Sequence, residues 1–248
     1  INLLRSELNK FLFHNDIQAF IHVTVPQVFE NVITFHRNQD VQSENQWKRS
    51  VLVSLGGVLS GLSKLEVNVK CEMIETVEKV VQECYTEGDY LTQVVVVHSI
   101  GSLVKLERKK KKEKRTEIGE GMLIESVGYE MNEIEVEKDE KKWKNWTLEG
   151  NLMTMCVNAL TKNVEESTQP QNGSIQLISM SLWGVSAMCT IGRNSETVRE
   201  LRRERELVES LGMFVEKYVN VVGRMMEKMN SQGVSNSVYG IAVIMEYL

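Results

Sequence analysis

The stretch from Ile175 to Val208 constrains this chain more than any other. Its first part, Ile175-Gln176-Leu177-Ile178-Ser179-Met180-Ser181-Leu182-Trp183-Gly184-Val185-Ser186-Ala187-Met188-Cys189, is apolar on nearly every face. A helix that is apolar all round has to be covered on several sides, so the spacing predicts a central helix with neighbours on more than one flank. A charged run follows (Arg199, Glu200, Arg202, Arg203, Glu204, Arg205, Glu206), then a new apolar start at Leu207-Val208-Glu209-Ser210-Leu211.

Helical periodicity recurs along the chain. Amphipathic helices are expected over 2–13, 17–36, 44–65, 68–85, 89–107, 117–131, 142–162, 206–229 and 236–248. Pro26 has no N–H to give to the carbonyl four residues back, so the second of these restarts near Val25. Val94-Val95-Val96-Val97 on its own suits a buried strand, but the run continues to Leu106 without a turn signal, which favours helix. Only two prolines occur, Pro26 and Pro170, and an apolar content of 42% is ample for a core. The expected class is all-α, in a single domain over 1–248. Because the chain starts at Ile1 and stops inside a helical pattern at Leu248, it reads as a piece of something longer.

A Leu-Trp-x-Val-small helix, a short charged helix and a Leu-Val-x-x-Leu helix in succession, over Leu182 to Leu211, resemble an armadillo repeat. A looser form of the pattern covers 17–248: an apolar or aromatic residue followed three positions later by a small one. Val53 pairs with Gly56, His98 with Gly101, Cys156 with Ala159, Trp183 with Ser186 and Tyr239 with Ala242. The step from Val53 to His98 is 45 residues, inside the armadillo and HEAT period of about 40–47, and the 85 from His98 to Trp183 make about two repeats. The 27 from Cys156 to Trp183 fit no repeat and make those two helices adjacent and antiparallel.

The resemblance implies a right-handed superhelical solenoid of stacked helices with irregular repeats. Its implied work is that of a protein-binding scaffold or adaptor holding a partner segment on the concave face. The alternative is a structural helical subunit packed permanently in a larger assembly. On the armadillo pattern the groove candidates are Trp183, Tyr239, His98, Ser102 and Ala187, although the residues alone leave both groove and core open for Trp183 and Tyr239. Importin-type armadillo proteins place an Asn four residues after the groove Trp; here those positions are Ala187, Gly57, Ser102 and Val243, so the pattern does not point to a nuclear-signal receptor.

The strongest charge feature is Arg108, Lys109, Lys110, Lys111, Lys112, Glu113, Lys114 and Arg115, seven bases with one acid. It is expected as a basic loop over 108–116, balanced by an acidic loop over 130–141. It also suits a nuclear-localisation tract or a contact for an acidic partner or anionic lipid. The net charge of -5 makes a general nucleic-acid binder the less fitting class. No run is long and apolar enough to span a membrane, and the first residues lack a secretory pattern, so a cytoplasmic location is expected, with the nucleus open through the basic tract.

Chemistry has few candidates. His14, His22 and His36 match no metal-ligand spacing, and Gly119-Glu120-Gly121 lacks the rest of a phosphate loop. Cys71, Cys84, Cys156 and Cys189 sit in apolar helical patterns with no Cys-x-x-Cys pair and read as buried free thiols. Neither catalysis, a cofactor nor a metal is expected. Met225, Met226 and Met229 form a helical stripe that suits core or an adaptable binding surface.

Overall fold

The computed structural model describes residues 20–37, 44–65, 69, 71–121, 150–164, 172–191 and 205–248. Among the described residues there are eight α-helices and no strand. They are α1 (Val25–Arg37), α2 (Glu44–Leu65), α3 (Cys71–Cys84), α4 (Tyr90–Gly121), α5 (Gly150–Asn163), α6 (Asn172–Ile191), α7 (Arg205–Met225) and α8 (Ser231–Tyr247). A π-helical turn, Phe20–Thr24, leads into α1 at Val25, where the proline argument puts the helix start. The valine run lies wholly inside α4, with Val94, Val96 and Val97 fully buried.

Packing sorts the helices into two rows. α2, α4, α6 and α8 lie side by side in one row; α5 packs closely on α7 in the other, with α1 and α3 completing it. The rows meet through α2 against α3 and α7 against α8, and the short 3-10 turn Tyr85–Glu87 joins α3 to α4. The apolar-all-round helix is α6, held between α4 and α8, with Leu182 and Val185 fully buried. Its neighbours on both flanks are the cover that such a helix requires.

Contact within the first row is close because glycine stands at the crossings. A Cβ on Gly184 would lie 2.9 Å from the Val97 carbonyl oxygen and 3.0 Å from the His98 Cα; one on Gly101 would lie 3.0 Å from the Ala187 Cβ. On the other side of α6, a Cβ on Gly240 would meet the Leu182 carbonyl at 3.0 Å. The expected small-residue pattern is thus used at Gly56 and Gly101, while in α6 and α8 Gly184 and Gly240 take the place expected of Ser186 and Ala242. Cys156 and Ala159 belong to the second row, which accounts for the short step from Cys156 to Trp183.

A buried polar node ties the rows together at the α3–α4 turn. The Tyr85 hydroxyl donates to the Gln93 carbonyl at 3.1 Å, and the Gln93 side-chain amide donates back to the Tyr85 carbonyl at 3.0 Å. Asn163 at the end of α5 donates to the Gln93 side-chain oxygen at 3.0 Å. Beside it the hydroxyls of Tyr90 and Tyr218 bond at 2.9 Å, linking α4 to α7, and Ser181 of α6 lies 3.4 Å from Tyr90. Satisfied in this way, fully buried polar groups avoid the cost of an unpaired donor or acceptor. Burial pushes the Tyr90 phenol up to about 12, so the node is uncharged at neutral pH.

Two expectations about elements need correction, and three lie outside the described residues. The basic tract 108–116 is not a loop, since α4 runs unbroken through it to Gly121. Lys, Arg and Glu are good helix formers, and the apolar anchoring of Tyr90 to Leu106 supplies a helix that they extend. The last helix begins earlier than the expected 236: Ser231-Gln232-Gly233 opens α8, because the Asn230 side chain accepts from the Gly233 N–H at 2.7 Å and caps it. The expected helix at 2–13, the acidic loop 130–141 and the start of the helix expected at 142–162 lie outside the described residues.

Candidate functional site

Four of the sequence candidates, Trp183, His98, Ser102 and Ala187, come together where α4 crosses α6. Trp183 is half-buried, with its indole lying against α4 instead of sinking into the core. The ring centroids of His98 and Trp183 are 4.9 Å apart at a tilt of 38°. Lys105, two turns along α4 from His98, brings its Nζ to 5.4 Å from the Trp183 ring centroid, within reach of a cation–π contact. His98, Ser102 and Lys105 stand at helical spacing on one side of α4, and the Ser102 hydroxyl donates to the His98 carbonyl at 2.9 Å.

Local sequence explains why the indole stays at the surface. Gly184, the residue after it, lets the α6 backbone touch α4 at Val97 and His98, so the contact is made by main chain and leaves the larger ring to lie along the helix beyond. Ala187, one turn further, is buried against Gly101 and serves the crossing. Ala187 is thus a packing residue next to the site and not part of an open surface. Burial holds the His98 imidazole below its ordinary value, and the ring is therefore neutral at pH 7 beside the Lys105 ammonium.

Tyr239 stands apart. It lies on α8, one helix further along the row, and the residue is 57% exposed, so it is a surface residue and not core. The same outward side of α8 exposes Val238 and Met245. Lys105 is the member of the cluster that the sequence reading missed, although its place seven residues after His98 is the signal that puts it on the same face. In the basic tract Lys109 is exposed, one turn beyond Lys105.

Other candidates separate. His22 is buried in the π-helical turn, whereas His36 stacks on Trp47 at 4.9 Å with the planes 5° apart. His14 lies outside the described residues. Among the described residues no group of three His, Cys, Asp or Glu side chains could hold a metal ion. Cys84, Cys156 and Cys189 are buried free thiols, and burial pushes the Cys84 thiol up to about 12. Met225 is buried, Met226 exposed and Met229 half-buried, so the methionine stripe divides between core and surface. A cleft of about 650 Å³ opens on the second row, lined by Thr154, Asn158, Lys162 and Asn163 of α5, with Glu206 of α7 at its edge. No helix of the described residues is long and apolar enough to cross a membrane.

Comparison with protein-family models, with curated proteins and with solved structures finds no match to this chain. The reading of its function therefore rests on the residues and their geometry.

Proposed function

We propose that this chain is a protein–protein interaction scaffold, an irregular armadillo/HEAT-like solenoid that holds a partner segment on the face of the α2–α4–α6–α8 row. The observation that carries the reading is Trp183, an indole in the middle of that row that is not fully buried and that lies against His98 and Lys105. Aromatic side chains fixed in place at a surface supply much of the contact energy of interfaces. Helices that pack mainly on their neighbours in two rows are the arrangement such repeats use.

Trp183→Ala tests the reading. With only part of the indole buried, the variant should lose about 2 kcal/mol of stability, less than the roughly 3–5 of a fully buried Trp. Proteins retained by the immobilised wild-type chain should be lost from the variant at a temperature where both are folded. A melting temperature lowered as far as for a core deletion, with every retained protein unchanged, would move Trp183 from the binding face to the core.

A second reading, a structural subunit packed permanently in an assembly, is favoured by the outward side of α8, where Val238, Tyr239 and Met245 are each more than half exposed. Under that reading the purified chain self-associates through α8, and Val238→Ser with Tyr239→Ser restores a monomer in light scattering. A wild-type chain that is already monomeric removes this alternative.

A further inference from the structure

We infer that the cleft on the second row is a separate binding site, and that it takes a small zwitterion: an amino acid, or a peptide of a few residues with both ends charged. The inference goes beyond the scaffold reading, because the cleft is built on α5 and α7 and shares no residue with the Trp183 cluster.

Local sequence makes the cleft. In α5 the residues Leu152, Met153, Cys156, Val157 and Leu160 are buried, which turns Asn158 and Lys162 outward with Met155 and Ala159 half-buried beside them. These four stand at helical spacing on one face. Thr86, from the turn between α3 and α4, and Glu206, from the first turn of α7, complete the margin, and both are exposed. The result is an apolar patch inside a polar edge, about 650 Å³ in volume, which is the size of site that holds a small organic ligand.

Charge decides what fits. One ammonium, Lys162, and one carboxylate, Glu206, line the same cleft, and neither makes an ion pair among the described residues. An anion drawn to Lys162 is repelled by Glu206, and a cation drawn to Glu206 is repelled by Lys162. A ligand with one charge of each sign satisfies both, through the charge-assisted hydrogen bonds that are the stronger kind. Between the two charges, the Asn158 amide and the Thr86 hydroxyl can each donate and accept, as the N–H and C=O of a peptide unit require. Met155 and Ala159 are left for an apolar side chain, and the unbranched thioether of Met155 adapts to its shape.

A nucleotide would bring several negative charges to a single cation with a carboxylate opposed to it, which makes it the poorer occupant. The place of the cleft also gives binding a consequence. Asn163, next to Lys162, lines the cleft and donates to Gln93, and Thr86 follows Tyr85, whose carbonyl accepts from the same Gln93. A zwitterion held between Lys162 and Glu206 therefore bridges α5 to α7 beside the buried node and braces the seam between the rows.

The test titrates the full chain in a calorimeter with the tripeptide Gly-Leu-Gly, with its N-acetylated form and with its C-amidated form. The form with both ends charged should bind at least ~10-fold more tightly than either blocked form. Lys162→Gln should remove the preference over the amide and keep the preference over the acetylated peptide; Glu206→Gln should do the reverse. Both side chains are exposed, so the two variants should melt with the wild type. Free leucine, titrated beside the tripeptide, separates the two sources of the same chemistry: if it binds as well the site is one for amino acids, and if it does not the site is one for short peptides. Equal binding of the charged and blocked forms overturns the proposal, as does the absence of binding at ~10 mM tripeptide. Variants that discriminate as the wild type does overturn it too. Trp183→Ala should leave the titration unchanged, and its loss in that variant would place the peptide on the other row and overturn the assignment to this cleft.

Discussion

Single residues set the separation of the helices in the first row, and glycine substitutions measure how tightly. Gly184→Ala would press a methyl onto the Val97 carbonyl and the His98 Cα, atoms of the neighbouring backbone that cannot turn aside. A loss of about 1–3 kcal/mol is expected, as for other overpacked sites. Gly57 has nothing within 4 Å of the position a Cβ would take, and it is exposed in the middle of α2. There Gly57→Ala should stabilise by about 0.5–1 kcal/mol, because it lowers the freedom of the unfolded chain and favours helix. Opposite shifts of melting temperature for the same chemical change would distinguish the crossing at Gly184 from the open side of α2 at Gly57. The sequence gives both residues the same appearance, a glycine in a helix, since it does not say which side of a helix another backbone approaches. Lys105 was obscured for a related reason: the ring of Trp183 reaches it only through the angle at which α6 lies on α4.

At the scale of the element, periodicity carried most of the fold. The apolar-all-round pattern of Ile175 to Cys189 located the helix with two flanking partners, and the length of the run through Val94–Val97 identified helix over strand. Ends are less legible where a run of charge interrupts the apolar pattern. The basic tract looked like solvated loop because its side chains have no apolar face, but a helix already anchored by Tyr90 to Leu106 extends through good formers at small cost. The start of α4 is fixed by Asp89, whose carboxylate accepts from the Thr92 N–H at 2.8 Å. Asp89→Ala should cost about 1 kcal/mol, read as a drop in the midpoint of urea unfolding. Asp89→Asn, which keeps an acceptor in place, should recover most of it.

For the molecule as a whole, the buried thiols report on global opening. Cys84 has an ordinary value of 9.0 and is raised to about 12 by burial, with Glu83 adding to it. The folded state therefore disfavours the thiolate. Below pH 9 the group adds nothing to the pH dependence; as pH rises past 9 the unfolded chain ionises first and stability falls until the folded thiol ionises as well. The melting temperature should decline above pH 9, and less steeply in Cys84→Ala, with the other ionisable groups common to both. At pH 8 alkylation of Cys84 and Cys156 by iodoacetamide should proceed at the rate of unfolding and accelerate with urea. Rapid modification of the native chain would mean that the core between the rows opens far below the global transition.

The crossings at Gly101, Gly184 and Gly240 also decide how the protein yields under load. Where backbone rests on backbone, no side chain can change rotamer to let one helix slide, so the joints from α4 to α6 and from α6 to α8 are mechanically stiff. Compliance is left to the second row, where α3 and α5 touch only lightly beside the Gln93 node. Pulled from its ends, the molecule should give first along that seam and keep the strip bearing Trp183 straight, behaving as a plate with one soft edge.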